Sequence, residues 1–182
     1  MRRFVVVSAS LALSALANAA PGTYGIGRAP TAAELQAADI SVAPSGAGLP
    51  SGRGASRDGA VLYQSLCAAC HGARGEGVGD FPALVGGRGT VQSANPILTV
   101  GSYWPYATTL WDYIRRAMPY FTPGVLTANQ VYALTAFILQ MNEVIPANLM
   151  LTETTLPPVM MPNRGGFISD PRPDIRRLHG RH

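Results

Sequence analysis

Lysine is absent from the 182-residue chain: all 14 basic residues are arginine, set against 10 acids. Two of the arginines, Arg2 and Arg3, stand at the extreme N-terminus, so the rest of the chain carries 12 against 10, a net charge of +2. Phosphate binding needs a dense basic face, so nucleic acid is not an expected partner. Past the first twenty residues no apolar run is long enough to span a membrane. Carboxylates are few and scattered, and no Ser/His/Asp set or phosphate-cradling loop stands near a motif, which leaves no sign of hydrolytic or nucleotide chemistry. Regular strand alternation is missing as well. Cysteine and histidine are scarce, with two of the first and three of the second. A structural zinc site needs four ligands, and beyond His71 only His179 and His182, in the extreme tail, could supply imidazole.

What is present is concentrated. Both cysteines fall in Cys67-Ala68-Ala69-Cys70-His71, a C-x-x-C-H sequence. Two thiols three positions apart on a helical turn can add to the two vinyl groups of one porphyrin, and the adjacent histidine then meets the iron. The pattern therefore predicts one covalently attached haem c, held by Cys67 and Cys70 with His71 as a ligand. A thioredoxin-like dithiol shares C-x-x-C but requires a strand before it and a βαβ frame, whereas the flanks here are helical and glycine-rich. A simple disulfide is the other alternative.

The N-terminus bears on compartment. Arg2 and Arg3 precede an apolar run from Phe4 to Leu16 and then Ala17-Asn18-Ala19, the A-x-A pattern of a secretory cleavage site. Residues 1–19 are expected to be a signal peptide, with no membrane span left after cleavage. Haem is attached in this way outside the cytoplasm, so the expected location is the periplasm.

Residues 20–55, rich in Gly, Pro, Ala and Ser, read as an extended N-terminal arm with one helical signal, the T-x-x-E capping box of Thr31 and Glu34. A haem domain is expected over 56–145 and a proline-rich C-terminal extension over 146–182. From Met161 onward Arg164, Arg172, Arg176, Arg177 and Arg181 oppose only Asp170 and Asp174. Such a tail suits either solvent or an acidic surface. The arm and the extension are expected to wrap a partner more than they stabilise the haem core.

Three helices are predicted within the domain. The first runs from about Arg57 into the C-x-x-C-H with Val61, Leu62 and Leu66 as its apolar face, and Gly59 and Tyr63 on another. The second covers Ala107 to Ala117 and carries Leu110, Trp111 and Ile114. The last follows Thr127 as N-cap, with Val131, Leu134, Ala136, Phe137, Ile138 and Met141 apolar. Gly59 with Ala133 or Ala136 would allow the first and last helices to cross closely. The expected fold is all-α, a class I cytochrome c fold around one covalent haem, with extended arms at both ends.

At the iron, the second nitrogen of His71 needs an acceptor that fixes the ring, and the Pro82 carbonyl is the candidate. The sixth ligand should be sulfur. Met118 follows a helix, is held by Pro119, and precedes a loop whose geometry could carry its thioether over the haem face; Met160 and Met161, before Pro162, are the rivals. Met141 reads as core. Thioether ligation favours ferrous iron and raises the potential, which suits electron transfer. A haem enzyme with an open iron site is the alternative from another class. Gly75-Glu76-Gly77-Val78-Gly79 has glycine spacing but follows the haem motif and reads as haem-wrapping loop.

Longer stretches narrow the reading. Tyr24-Gly-Ile-Gly-Arg28, Gly46-Ala-Gly-Leu-Pro50, Val100-Gly-Ser-Tyr-Trp-Pro-Tyr-Ala-Thr-Thr-Leu-Trp-Asp-Tyr-Ile114 with Arg116-Ala-Met-Pro119, and Met160-Met-Pro-Asn-Arg-Gly-Gly-Phe167 together resemble the cytochrome c subunit of periplasmic sulfite or sulfane dehydrogenases, of the SoxD type in the sulfur-oxidising system. The resemblance implies a separate molybdenum-cofactor subunit that takes two electrons from a sulfur substrate and releases them singly. This chain would then carry them to a soluble cytochrome c without acting on substrate itself, and His71 and Met118 match the family's ligand pattern. A general electron carrier for another periplasmic dehydrogenase is the neighbouring alternative.

If the motif attaches haem, the Cys67→Ala, Cys70→Ala double variant is expected to lose covalent haem, read as haem staining after denaturing electrophoresis. Undiminished staining would end the c-type reading.

Overall fold

The computed structural model describes residues 26–170. The predicted signal peptide and most of the arginine-rich tail lie outside the described residues. Two compact units divide at Ala38 and Asp39.

In the first unit a short helix, α1 (Ala32–Ala38), buries nothing. Its start is the predicted capping box: Glu34 N–H donates to Thr31 Oγ1 at 3.2 Å and Thr31 N–H donates to the Glu34 carboxylate at 2.8 Å. Arg28 pairs with the same carboxylate, and this guanidinium, ahead of the Thr31 bonds, holds Glu34 down to about 2.

The second unit contains β1 (Arg53–Ala55), α2 (Ser56–Leu66), α3 (Ala68–His71), α4 (Ala107–Ala117), α5 (Ala128–Met141) and β2 (Met150–Thr152). Helices dominate, as the sequence predicts. α4 and α5 have the predicted bounds, and α5 begins with a complete capping box in which Thr127 accepts from Gln130 N–H while Gln130 Oε1 accepts from Thr127 N–H at 2.9 Å. From Val131 to Ala136 every residue of α5 is buried, as are Ile138 and Leu139. A helix apolar on all sides belongs in the centre of a fold, and its two buried hydroxyls are both satisfied: Thr135 donates back to Val131 O at 2.7 Å and Tyr132 to Pro50 O at 2.9 Å.

α2 departs from expectation. Val61 is 72% exposed and Leu66 42%; the buried positions are Ser56, Gly59 and Tyr63. What decides the buried face is backbone proximity, because a methyl at Gly59 would overlap the Ala133 carbonyl oxygen and stand 2.8 Å from Phe137 Cβ. The predicted close crossing of the first and last helices therefore occurs at Gly59 and Ala133, and Tyr63 packs on Phe137 with ring centroids 5.3 Å apart. The helix also stops at Leu66, one residue before the motif, because Cys67 leaves helical geometry with φ −121° and ψ −37°.

The arm and extension contribute more than expected. Despite the absence of strand alternation, β1 and β2 pair antiparallel, Gly54 opposite Leu151, and so join the end of the arm to the extension. Three-residue strands are too short to show a period in sequence. Val42, Leu151, Leu156, Val159 and Met161 are all buried in the same hydrophobic core as α4 and α5. Asp112, itself buried on α4, accepts from Val42 N–H at 2.9 Å and is forked by Arg116 one turn on. Thr108 adds a bond to Pro44 O at 3.1 Å. The expectation that these segments serve a partner more than the core is thus corrected for residues 42–55 and 149–161, whose apolar side chains complete a core too small to close by itself.

Replacing Gly59 by Ala is expected to lower stability by about 1–3 kcal/mol, since the two helices must part to admit a methyl group. Thermal unfolding of the holoprotein measures it, with Val61→Ala as the exposed comparison expected to stay within about 0.5 kcal/mol.

Candidate haem site

The C-x-x-C-H motif forms its own turn. After the break at Cys67, His71 N–H donates to Cys67 O at 2.9 Å and Cys70 N–H to the same carbonyl at 3.1 Å, closing α3. Gly72, at φ +80°, ends it in a conformation that a side chain would strain. Tyr63 reaches from α2 to donate its hydroxyl to Gly72 O at 2.9 Å. Burial, followed by the charges of Cys67 and Glu76, pushes that phenol up to about 12, so it remains a donor at ordinary pH.

Cys67, Cys70 and His71 face a cavity of about 490 Å³ whose wall also includes Met118. Leu84, Leu110, Leu134 and Ile138 give the cavity its apolar character, and Trp104 and Tyr113, in edge contact at 5.7 Å, close one side. Size and lining suit a large planar apolar cofactor. The two thiols are not joined. Burial, with Cys70 as the second cause, pushes the Cys67 thiol up to about 11, opposite to the shift a catalytic dithiol needs.

His71 Nδ1 lies 2.9 Å from Pro82 O. Since a carbonyl only accepts, the ring must donate through Nδ1, leaving Nε2 as the metal-binding nitrogen. The glycine-rich stretch after the motif makes this contact possible: Gly77 N–H donates to His71 O at 2.7 Å, while Gly75 O accepts from Leu84 N–H at 2.8 Å and Val85 N–H at 3.1 Å. The loop therefore doubles back under the imidazole and is not a nucleotide loop.

Met118 leaves α4 in extended conformation, φ −120° and ψ 148°, with its N–H still bonded to Ile114 O. Proline at the next position disfavours the helical alternative, and the side chain joins the cavity wall. The rivals lie elsewhere: Met161 is a core residue 3% exposed, Met160 is 71% exposed, and neither lines the cavity. The set Cys67, Cys70, His71 and Met118 fits a haem bound through two thioethers and offers imidazole and thioether groups to one iron. Among the described residues no group of three or more His, Cys, Asp or Glu side chains is arranged to hold a metal ion by itself.

Sequence reasoning missed several supports. Asn163 donates to Tyr103 O at 2.7 Å, Arg164 lies 5.1 Å over the Tyr106 ring, and Phe167 meets Tyr103 edge-on at 5.2 Å. These contacts tie the closing Met-Pro-Asn segment to the Tyr-Trp-Pro-Tyr segment that carries Trp104. Asn142, whose side chain bonds Leu84 O and Gly86 N–H, gave no periodic signal either.

A helical fold that brings a C-x-x-C-H turn, an acceptor for its histidine and a methionine to one apolar cavity defines a c-type cytochrome. A cytochrome c family model matches residues 56–142. Among solved structures, the chain is similar to one of the sulfane dehydrogenase SoxCD from Paracoccus pantotrophus, at 37% identity over 88% of this chain and 79% of that one, with a TM-score of 0.75. A chain of the thiosulfate dehydrogenase TsdBA from Marichromatium purpuratum matches at 29% identity over 47% of this chain and 17% of that one, TM-score 0.36. No curated protein matches. The chain belongs to the cytochrome c family and is a cytochrome of the SoxD type. It carries haem c covalently, and its single C-x-x-C-H makes it a monohaem electron-transfer cytochrome.

Met118→Ala is expected to abolish the weak near-infrared sulfur-to-iron band of the ferric protein and to lower the potential, with covalent haem retained. The same loss from Met160→Ala or Met161→Ala, but not from Met118→Ala, would transfer the ligand role to the extension.

Proposed function

We propose that this cytochrome works in the periplasm, takes electrons one at a time from a molybdenum-cofactor sulfite or sulfane dehydrogenase subunit, and delivers them to a soluble cytochrome c. Cys67 and Cys70 would hold the haem through two thioether bonds, His71 and Met118 would ligate its iron, and residues 56–145 would form the haem domain. The observation that carries this reading is the likeness to a chain of a sulfane dehydrogenase, which extends over 88% of this chain and 79% of that one and so reaches beyond the haem domain.

Bound haem supplies a one-electron couple at its iron. The residues around it serve that couple in separate ways. His71, hydrogen-bonded through Nδ1, is a fixed and more basic donor. Met118 favours the ferrous state, so the site can accept electrons from a reduced partner. Leu84, Leu134 and Ile138 keep water from the interior of the cavity. Phe81, Leu98 and Tyr120, which also line it, are 43%, 51% and 68% exposed and provide an apolar rim across which another protein can approach. No described helix is long and apolar enough to cross a membrane, in keeping with a periplasmic carrier. In residues 171–182 the sequence has four arginines, Arg172, Arg176, Arg177 and Arg181, and one acidic side chain, Asp174, a charge suited to steering encounter with an acidic surface.

Stopped-flow mixing of the oxidised holoprotein with the molybdenum subunit and sulfite or a sulfane substrate tests the proposal. Haem reduction is expected, and deletion of residues 171–182 should leave the spectrum intact while slowing reduction at low salt, with the difference fading as salt rises. Absence of reduction with both substrates would reject the partnership, and an unchanged rate at all ionic strengths would assign the tail to solvent.

A further inference from the structure

We propose that Asn142, which caps the C-terminal end of α5 far in sequence from the haem motif, is a positioning residue for the iron's proximal ligand. The inference rests on the reading of His71 as that ligand.

Asn142 is 8% exposed, and its amide is fully engaged. Nδ2 donates to Leu84 O at 3.0 Å and to Ile138 O at 2.9 Å, and Oδ1 accepts from Gly86 N–H at 3.3 Å. Its own carbonyl accepts from Arg88 at 2.8 Å. One side chain thereby grips the 84–86 backbone by a carbonyl and by an N–H while anchoring to the last turn of α5. Thr99 holds the same stretch from the other side, donating to Gly86 O at 2.6 Å. Leu84 is already fixed through its N–H on Gly75 O, so with Asn142 on its carbonyl both polar groups of this residue are bound.

Pro82 stands two residues before Leu84, and its carbonyl is the acceptor for His71 Nδ1. Proline has no N–H, so Pro82 cannot be tied down by its own backbone donor, and the position of its carbonyl depends on how firmly the following residues are held. The clamp at Leu84 and Gly86 supplies that restraint. It transmits the position of α5 to the loop under the imidazole, and through the Nδ1–H···O bond sets the orientation and basicity of the ring. Asparagine is required because the site presents two carbonyls and one N–H: aspartate offers no donor, and an aliphatic side chain offers nothing to any of the three.

The test compares Asn142→Ser and Asn142→Leu, both charge-neutral, with Gln130→Ala, which loosens the opposite end of α5 by removing half of its capping box. A poorly held Pro82 carbonyl leaves the imidazole less basic and the ferric state less stabilised, so the potential should rise. The expected change is at least threefold in the ferrous to ferric ratio at fixed ambient potential, about 28 mV at 59 mV per tenfold for one electron. Exchange of the His71 Nδ1–H proton, followed by NMR, should quicken in the Asn142 variants and not in Gln130→Ala. In the unsubstituted holoprotein, the Nδ1–H and the Gly86 amide should exchange with the same opening constant. A tenfold difference between them, or a potential shift no larger than that of Gln130→Ala in whichever variant folds, would overturn the clamp. Hyperfine-shifted His71 ring protons in the ferric protein report ligation independently: their absence would remove the ligand reading and the clamp with it, whereas their presence without a potential shift would remove the clamp alone.

Discussion

With only hydrogen at Gly59, α2 lies against the backbone of Ala133, and this contact sets the geometry on which the cofactor site depends. The crossing fixes α5 relative to the helix that leads into the C-x-x-C-H turn. It thereby places Leu134 and Ile138 on the cavity wall and Asn142 against the loop beneath His71. A wider crossing would move the α5 side of the cavity relative to the attachment turn. Backbone proximity, more than side-chain hydrophobicity, positions the cofactor.

The proximal and distal sides are built differently. Under His71 the support is almost entirely main chain: Gly75 O, Gly77 N–H, Pro82 O and the two peptide groups gripped by Asn142. On the Met118 side the support is a helix end shaped by proline and held through Asp112, which joins Arg116 on α4 to the arm at Val42. The extension braces the wall between them through Asn163, Arg164 and Phe167. Segments outside the family-matched stretch of 56–142 thus contribute to the shape of the pocket, and the likeness to the sulfane dehydrogenase chain, over 88% of this chain, also reaches beyond that stretch.

What was legible in sequence was local. Cys67, Cys70 and His71 lie within one short stretch, Cys67 to His71, so their spacing alone specifies haem attachment; Thr127 with Gln130 and Thr31 with Glu34 are capping boxes confined to one turn; and Met118 next to Pro119 follows from a restriction one residue long. The bounds of α4 and α5 were readable for the same reason. The buried face of α2 was not, because Val61 and Leu66 are apolar yet outward, and choosing between its faces required knowing which one meets Ala133.

The sequence by itself determined the cofactor chemistry, the helical class and the sulfur ligand's best candidate, since each rests on residues that are neighbours along the chain. Tertiary structure alone decided that Met161 belongs to the core and Met160 to the surface, that β1 and β2 join the arm to the extension, and that Asn142 holds the loop carrying Pro82. These pairings link residues about 60 to 100 positions apart. A lone asparagine or a three-residue strand carries no periodicity that could announce such a partner; its role exists only once the chain has closed and the buried carbonyl or N–H opposite it must be satisfied.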